Sequence, residues 1–267
     1  MTAPSNNEKI NEFDSSTMPF VAPCKKLNVL APFNWLRLGW SDLKRARKQS
    51  LTYGLAMALI SYVVTLVTYM MGSYMLLFAL LSGFFFLGPV LAMGLYSISC
   101  QLNEGKTPRL GYCLREGRRH ISNGLVFAFI LLIVFLIWAR AASMVHIFFP
   151  EQSSPEWADL ITFLSVGSTI GAFFCAIIFS ASAFSLPMIM DRRIDVVTAV
   201  ITSINAVLRN KAAMLVWASI IFVCILIGFA TAFIGLIVLL PLIGHATWYG
   251  YKETIDSAAW PRHGTLD

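Results

Sequence analysis

Long apolar runs alternate with short basic stretches along this chain, and this alternation most constrains the fold. Except for Arg140, every lysine and arginine lies in residues 9–48, 106–119, 192–211 or 252–262. Apolar residues make up 57% of the chain and charged residues 13%, whereas soluble domains carry roughly 25% charged residues. A chain this apolar cannot hide its side chains in one soluble core. The hydrocarbon of a bilayer is its natural solvent, so the composition predicts a polytopic membrane protein.

The apolar runs predict an all-α fold with six transmembrane helices arranged as three hairpins. Helices are favoured because backbone groups at membrane depth must bond within the chain. The predicted spans are residues 51–71, 74–99, 121–140, 160–190, 212–229 and 232–251. The fourth is too long for one straight perpendicular span, so it must tilt, break or protrude. The membrane domain covers residues 31–255, between a disordered cytoplasmic leader (1–30) and a cytoplasmic tail (256–267).

The distribution of charge predicts the orientation of these spans. The loop of residues 150–159 contains Glu151, Glu156 and Asp159 and no basic residue. The basic stretches fall on the opposite side of the predicted spans. Cytoplasmic loops are the ones enriched in lysine and arginine, so both termini are predicted to lie in the cytoplasm.

A basic, partly amphipathic cytoplasmic segment precedes each predicted hairpin. The three segments contain the runs that start at Leu43, Leu114 and Val207. The second helix of each hairpin contains a proline: Pro89, Pro187 and Pro241. This regular order predicts a weak threefold internal repeat. The prolines make either packing kinks or the broken helices found in transporters.

Two of these segments have the pattern of helices that lie in the headgroup plane. The apolar residues of the third recur at steps of three and four: Ile194, Val197, Ile201, Ile204 and Leu208. Leu36, Trp40 and Leu43 form a shorter stripe before the first span. Such helices turn apolar side chains into the membrane and cations toward anionic lipid. The predicted headgroup contacts are Arg37, Lys44, Arg45, Arg47, Arg192, Arg193, Arg209 and Lys211. The alternative is that these cations act only as topology anchors.

Small residues in the fourth predicted span favour helix packing. Gly167, Gly171 and Cys175 recur at a spacing of four, which lets another helix approach closely. None of the five cysteines has CxxC spacing. The sequence therefore predicts neither a disulfide framework nor a thiolate metal site.

The predicted spans are almost free of ionisable side chains, which argues against an ion-coupled pump. The sequence shows no paired carboxylates, no nucleophile beside a base and no glycine-rich phosphate loop. We therefore predict no enzyme activity, no catalytic residue, no metal site, no cofactor and no nucleic-acid partner.

The candidate positions for ligand contact are His245, Arg140, Trp248, Tyr249 and Asp191. His245 is either a ligand or gating residue, or an imidazole bonded to a neighbouring helix. Arg140 either pairs with an outer carboxylate or snorkels at the interface. The histidines of this chain form no apparent pair for haem or copper, which need several converging ligands.

Several segments resemble an uncharacterised bacterial family of integral membrane proteins, DUF2189, over about Ala31 to Ile255. They are Trp35-Leu-Arg-Leu-Gly-Trp, Gly88-Pro-Val-Leu-Ala-Met-Gly-Leu-Tyr96, Leu186-Pro-Met-Ile-Met-Asp191, Asp195-Val-Val-Thr-Ala-Val and Leu240-Pro-Leu-Ile-Gly-His-Ala-Thr-Trp-Tyr249. The resemblance implies a six-helix protein of the bacterial inner membrane and brings no established activity. Some relatives carry a cytochrome c oxidase subunit label, but this chain lacks the several intramembrane histidines of catalytic oxidase subunits.

Three functions compete on these grounds. The first is a non-enzymatic scaffold or accessory factor of a membrane complex, with the bilayer, anionic lipids, and another membrane protein or a second copy of this chain as partners. The second is a transporter or channel for a small neutral or amphiphilic solute. The third is a component associated with cytochrome oxidase.

Overall fold

The computed structural model describes residues 19–71, 92–109, 111, 115, 121–148 and 157–262. Within these ranges the fold is built from helices, and the extended pairing is limited to isolated bridges. In chain order the helices are α1 Ala31–Arg45, α2 Arg47–Met71, α3 residues 92–103, α4 Ile121–Phe148, α5 Trp157–Ser182, α6 Ser185–Asp191, α7 Val196–Arg209, α8 Lys211–Ala230 and α9 Leu236–Thr254. This confirms the prediction of an all-α architecture for the described residues.

Four stretches of the described chain are long and apolar enough to cross a membrane. They are Arg47–Met70, Ile121–Met144, Trp157–Asp191 and Lys211–Ala230. They correspond to the first, third, fourth and fifth predicted spans. Most of the second predicted span, residues 72–91, lies outside the described residues, as does Pro89. The described ranges therefore contain four candidate membrane-spanning helices.

The sixth predicted span, residues 232–251, is not confirmed by the structure. Helix α9 begins only at Leu236 and is not among the four membrane-length apolar helices. Turns occupy residues 231–235, with Ala232 and Phe233 at positive φ. The physical reason is composition: the C-terminal half of α9 carries small, polar and charged residues, and most of them are buried against other helices. Pro241 lies inside α9, which continues through it.

The long fourth apolar run breaks into two helices. Helix α5 ends at Ser182 and α6 starts at Ser185. Pro187 has no amide hydrogen to offer the carbonyl four residues earlier, which is that of Ala183. Ser203 of α7 stabilises the break, since its hydroxyl donates to the Ser180 carbonyl at 2.8 Å and accepts from the Phe184 amide at 3.1 Å.

The helix ends that carry the basic residues are held together by a packed layer, which we call the basal cap. It consists of α1, α6, α7, residues 244–254 of α9, and the flanking residues 22–28 and 255–262. Trp35, Trp248 and Trp260 are buried within it. The Trp35 ring also packs edge-on against Trp217 of α8, with ring centroids 5.6 Å apart. The basal cap is thus a hydrophobic core continuous with the spans above it.

The flanking residues belong to this core. The Lys25 amide donates to the Thr254 carbonyl at 2.8 Å, and the Asp256 amide donates to the Pro23 carbonyl at 2.9 Å. The Arg193 amide donates to the Pro261 carbonyl at 3.0 Å. Lys25 and Pro23 lie in the predicted leader, and Asp256 and Pro261 lie in the predicted tail. One of the three hydrogen bonds joins these two segments, and the others join them to Thr254 and Arg193. Such pairing cannot be seen from local composition.

Helix α7 does not turn its apolar stripe into the core. Asp195 caps its N-terminus by accepting from the Thr198 amide at 2.9 Å, as N-cap residues do. Val197 and Leu208 of the predicted stripe are exposed, whereas the small and hydroxylated Ala199, Thr202 and Ser203 are buried. Close packing against residues 22–28 and α5 selects the small face. The apolar stripe is left partly open.

The predicted apolar stripe of α1 is also partly buried and partly exposed. Leu43 of its predicted apolar stripe is buried and Leu36 is half-buried, but Trp40 is 42% exposed. The buried face is instead formed by Trp35, Gly39 and Asp42 beside Leu43. The chain packs the Trp35 side of the helix against α9, and Trp40 is therefore left outside the packed core.

The packing of α1 and α2 on α9 depends on glycines. A Cβ on Gly39 would lie 2.7 Å from the Ala246 amide nitrogen, and one on Gly54 would lie 2.0 Å from the Ile237 carbonyl oxygen. Ile237 is four residues before Pro241, so its carbonyl lacks the usual helical donor. By contrast, a Cβ on Gly167 or Gly171 would meet no atom within 4 Å. The predicted small-residue ridge of α5 is therefore not covered by any described helix.

Candidate functional site

His245 lies at the centre of a buried polar network between α2, α3 and α9. Its side chain is 0% exposed. Nε2 lies 2.8 Å from the Ser50 hydroxyl oxygen at the start of α2, and Nδ1 lies 2.8 Å from the Ser99 hydroxyl oxygen of α3. Both ring nitrogens are thus occupied by neighbouring helices. The structure agrees with the imidazole that is bonded to its neighbours rather than with a free ligand.

Asp42 of α1 extends the network from the other side. Its side chain is 1% exposed, and its carboxylate accepts from the Ser99 hydroxyl and from the Tyr249 hydroxyl. Tyr249 lies one helical turn after His245, so both side chains project from one face of α9. The phenol oxygen is 3.0 Å from Asp42 Oδ2 and 2.9 Å from Asn103 Oδ1. Its single proton serves one acceptor at a time.

The contacts of this network accommodate the following proton order. With Asp42 ionised, the Ser99 hydroxyl donates to the carboxylate. The Ser99 oxygen then accepts from His245 Nδ1–H, and Nε2 accepts from the Ser50 hydroxyl. A neutral imidazole supplies one donor and one acceptor, as this order requires. Every member is satisfied, which is the condition for a buried polar network to stabilise a fold.

Asp42 is the acidic group of this network whose charged form is disfavoured by burial. Burial raises the pKa of its carboxyl above the ordinary value, while hydrogen bonds from Ser99 and Tyr249 and the charge of Arg45 act in the opposite direction. No described lysine or arginine makes a direct ion pair with this carboxylate. The network therefore holds a carboxyl by hydroxyl donors, in a place where a direct cation is not used.

The side chains of this network that lie inside the fold are those of Asp42, Ser50, Ser99 and His245. A serine, a histidine and a carboxylate in series also occur in hydrolases, where the serine attacks a substrate. Here Ser50 is 0% exposed, so its hydroxyl cannot reach a substrate. The described residues include no group of three or more histidine, cysteine, aspartate or glutamate side chains that could hold a metal ion.

Asp191 organises a second polar cluster in the basal cap. Its Oδ2 accepts from the Tyr251 hydroxyl at 2.7 Å and lies 3.2 Å from both Arg192 Nε and Lys252 Nζ. Arg192 also donates to the Trp260 carbonyl at 2.7 Å. Lys252 Nζ lies 5.6 Å from the centroid of the Trp248 ring, within cation–π range. The cluster ties α6, α9 and residues 255–262 together.

The predicted headgroup contacts divide into two groups. Arg192 is turned into the Asp191 cluster, with its side chain only 13% exposed. It is therefore a structural cation in this fold rather than a surface one. The others are exposed on the basal cap or at the adjacent helix ends: Arg37, Lys44, Arg45, Arg47, Arg193, Arg209 and Lys211.

Arg140 lies far from these groups along the chain, near the other end of α4, and is exposed. Glu151 and Glu156, two of its predicted partners, lie outside the described residues. Among the ion pairs of the described chain, none joins Arg140 to Asp159. The structure thus brings together His245 and Tyr249 in one network and Asp191 and Trp248 in another, and it leaves Arg140 apart.

Three members of the central network were not among the predicted site residues: Asp42, Ser50 and Ser99. A signal for Asp42 does exist in the sequence. Trp35, Gly39 and Asp42 follow one another at steps of four and three, which places the carboxylate on the same stripe as a tryptophan and a glycine. Nothing local marks Ser50 or Ser99, because their role comes from the approach of α9.

The comparisons with known proteins agree with this architecture. A search of curated proteins gave no match, and a search of solved structures gave none. The region that matches a family model is residues 77–191. It is shorter than the resemblance over Ala31 to Ile255 and excludes the Trp35 and His245 segments. Over residues 77–191 the chain matches the DUF2189 family, described as a predicted integral membrane protein, which confirms the predicted family there.

Proposed function

We propose that this chain is a non-enzymatic protein of the bacterial inner membrane, a scaffold or accessory factor of a membrane complex. In this proposal it has six spans in three hairpins, both termini in the cytoplasm, and the outer face of the basal cap at an anionic lipid surface. The positive-inside rule supports this orientation, since the basic residues other than Arg140 gather at one end of the spans.

One observation carries the proposal: the exposed stripe of α1. Its members recur at steps of three and four and are all exposed: Leu30, Phe33, Arg37, Trp40 and Lys44. Lys44 Nζ lies 5.4 Å from the centroid of the Trp40 ring. Aromatic rings and cations side by side are typical of a helix at the membrane interface. Each such cation contributes about 1 kcal/mol of attraction to an anionic surface.

The packing around α9 supports a scaffold more than a solute pathway. Pro241, Gly244 and His245 are buried. A Cβ on Gly244 would lie 2.8 Å from the Leu95 side chain, so no room is left between α3 and α9 at this level. A transporter for a small neutral solute remains the alternative, and it would need its pathway elsewhere.

The test compares crosslinking in native membranes for two variants. Purification in mild detergent is expected to recover the wild-type chain crosslinked to a stoichiometric membrane-protein partner. The triple variant Arg37→Gln, Trp40→Ala, Lys44→Gln is expected to lose that crosslink, since it removes the exposed stripe without touching a buried side chain. Arg140→Gln is the matched control, because it removes an exposed cation at the other end of the spans. Recovery of the bare monomer from wild-type membranes would contradict the proposal.

A further inference from the structure

An elongated apolar groove runs between α5 and α8. Its volume is about 500 Å³, within the range of roughly 300–1,000 Å³ typical of ligand pockets. Cys175, Ala176 and Phe179 form one wall, and Ala218 and Ile225 belong to the other. Most of the lining is therefore hydrocarbon, and α7 closes one end through Val207, which also contributes to the lining.

No described helix enters this groove. The most apolar stretch of α5 and α6 is 0% buried within the described structure, and Phe222 of α8 is 62% exposed. A concave apolar surface at membrane depth is filled by hydrocarbon, because water there would leave its hydrogen bonds unsatisfied.

The closed end of the groove is cationic. Lys211, the first residue of α8, belongs to the lining and is exposed. Arg209, two residues earlier, is exposed as well. Asn210 between them donates to the Lys25 carbonyl at 3.0 Å, which brings a further exposed cation to the same place.

The length of the groove matches a lipid chain. Its lining on α8 extends from Lys211 to Ile225, which corresponds to about 21 Å at ~1.5 Å per residue. This exceeds half of the ~30 Å hydrocarbon thickness. A chain whose headgroup lies at Lys211 can therefore remain in the groove through one whole leaflet.

We propose that the α5–α8 groove binds one acyl chain of an anionic phospholipid, with the phosphate at Lys211 and Arg209. The charge at the mouth selects an anionic headgroup, and the apolar walls hold the chain. The inference rests on the proposed function in that it places the basic end of the spans at an anionic leaflet. The proposed function needs only a general attraction to anionic lipids, whereas this inference assigns one lipid molecule to a defined groove.

The test is native mass spectrometry of the full chain, exchanged into equal amounts of phosphatidylglycerol and phosphatidylcholine. Wild type is expected to retain one lipid, with phosphatidylglycerol favoured about tenfold. Lys211→Gln is expected to reduce that preference about fivefold, the factor expected for one cation near an anionic phosphate. Ala218→Trp fills the groove and is expected to abolish retention. Lys48→Gln, which removes an exposed cation at the start of α2 outside the groove, is the matched control and is expected to leave retention unchanged.

A second measurement does not depend on the folding of Ala218→Trp. In a variant with the other cysteines replaced, the Cys175 thiol in the groove is expected to react with N-ethylmaleimide several-fold more slowly when phosphatidylglycerol is added to delipidated protein. Equal retention of the two lipids, a dimer closed through the groove, or an unchanged labelling rate would each overturn the inference. Absence of the partner crosslink in wild-type membranes, with lipid retention intact, would overturn the proposed function alone.

Discussion

The two faces that contain small residues behave in opposite ways. On α9, glycines of α1 and α2 bring backbones into contact, and the buried hydroxyls, imidazole and carboxylate around His245 are bonded to one another. On α5, Gly167 and Gly171 meet no atom within 4 Å, and a groove opens beside them. Small residues thus permit close approach, but packing follows only where the partner helix supplies a complementary face. The face on α9 is packed against α1 and α2, whereas the face on α5 is open and can contact a lipid chain.

The largest expected effect separates two tryptophans. Trp35 is buried, and its indole nitrogen donates to Glu253 Oε2 at 2.6 Å. Trp35→Ala is expected to lower the free energy of unfolding in mixed micelles by about 3–5 kcal/mol, the usual cost of emptying a large aromatic site. Trp157 is 80% exposed, so Trp157→Ala is expected to change it by less than about 0.5 kcal/mol. Equal losses for the two variants would show that the basal cap is not a packed core.

The next effect concerns the polar network. His245→Ala leaves the Ser50 and Ser99 hydroxyls without their partner and is expected to cost about 2–4 kcal/mol of unfolding free energy. Tyr249→Phe removes one hydroxyl at a half-buried site and is expected to cost about 1 kcal/mol. A double-mutant cycle between His245→Ala and Ser99→Ala checks the connection. The double variant should lose at least about 0.5 kcal/mol less unfolding free energy than the sum of the two single losses. Strict additivity would show that His245 and Ser99 are not energetically coupled.

A smaller effect distinguishes the two sets of glycines. Gly54→Ala places a methyl group against the Ile237 carbonyl and is expected to lower the unfolding free energy by about 1–3 kcal/mol, the cost of overpacking. Gly171→Ala enters open space and is expected to be neutral or to stabilise by up to about 1 kcal/mol through helix propensity. Thermal unfolding of the two variants in one detergent measures both. A destabilised Gly171→Ala would indicate that the ridge of α5 is covered by residues outside the described ranges.

The sequence predicted the parts of this fold that depend on local pattern. Apolar length predicted the spans at Arg47–Met70, Ile121–Met144 and Lys211–Ala230 closely, and Pro187 lies at the break of the fourth run. Periodicity alone did not identify the packed face of α7, because a helix buries whichever face its partners can approach, and here that face holds Thr202 and Ser203.

The candidate site shows the same division. His245 and Tyr249 stood out as polar groups within an apolar run, and both lie in the network. The sequence could not identify Ser50 and Ser99 as members of the network. Serine in a membrane helix most often bonds its own backbone, as Ser219 does with the Leu215 carbonyl at 2.9 Å. The sequence did not distinguish Arg192 from the exposed cations near it. In the structure its side chain turns inward because it pairs with the buried carboxylate of Asp191.

Hydrogen–deuterium exchange on the protein in lipid nanodiscs tests the central claim most directly. If the basal cap is one packed unit joined to the spans through α9, the amides of α1, α7 and residues 244–254 exchange slowly and lose protection together in the Trp35→Ala variant. The result that would contradict this is fast exchange in α1 and α7, at the rate of an isolated surface helix, while α8 and α9 stay protected.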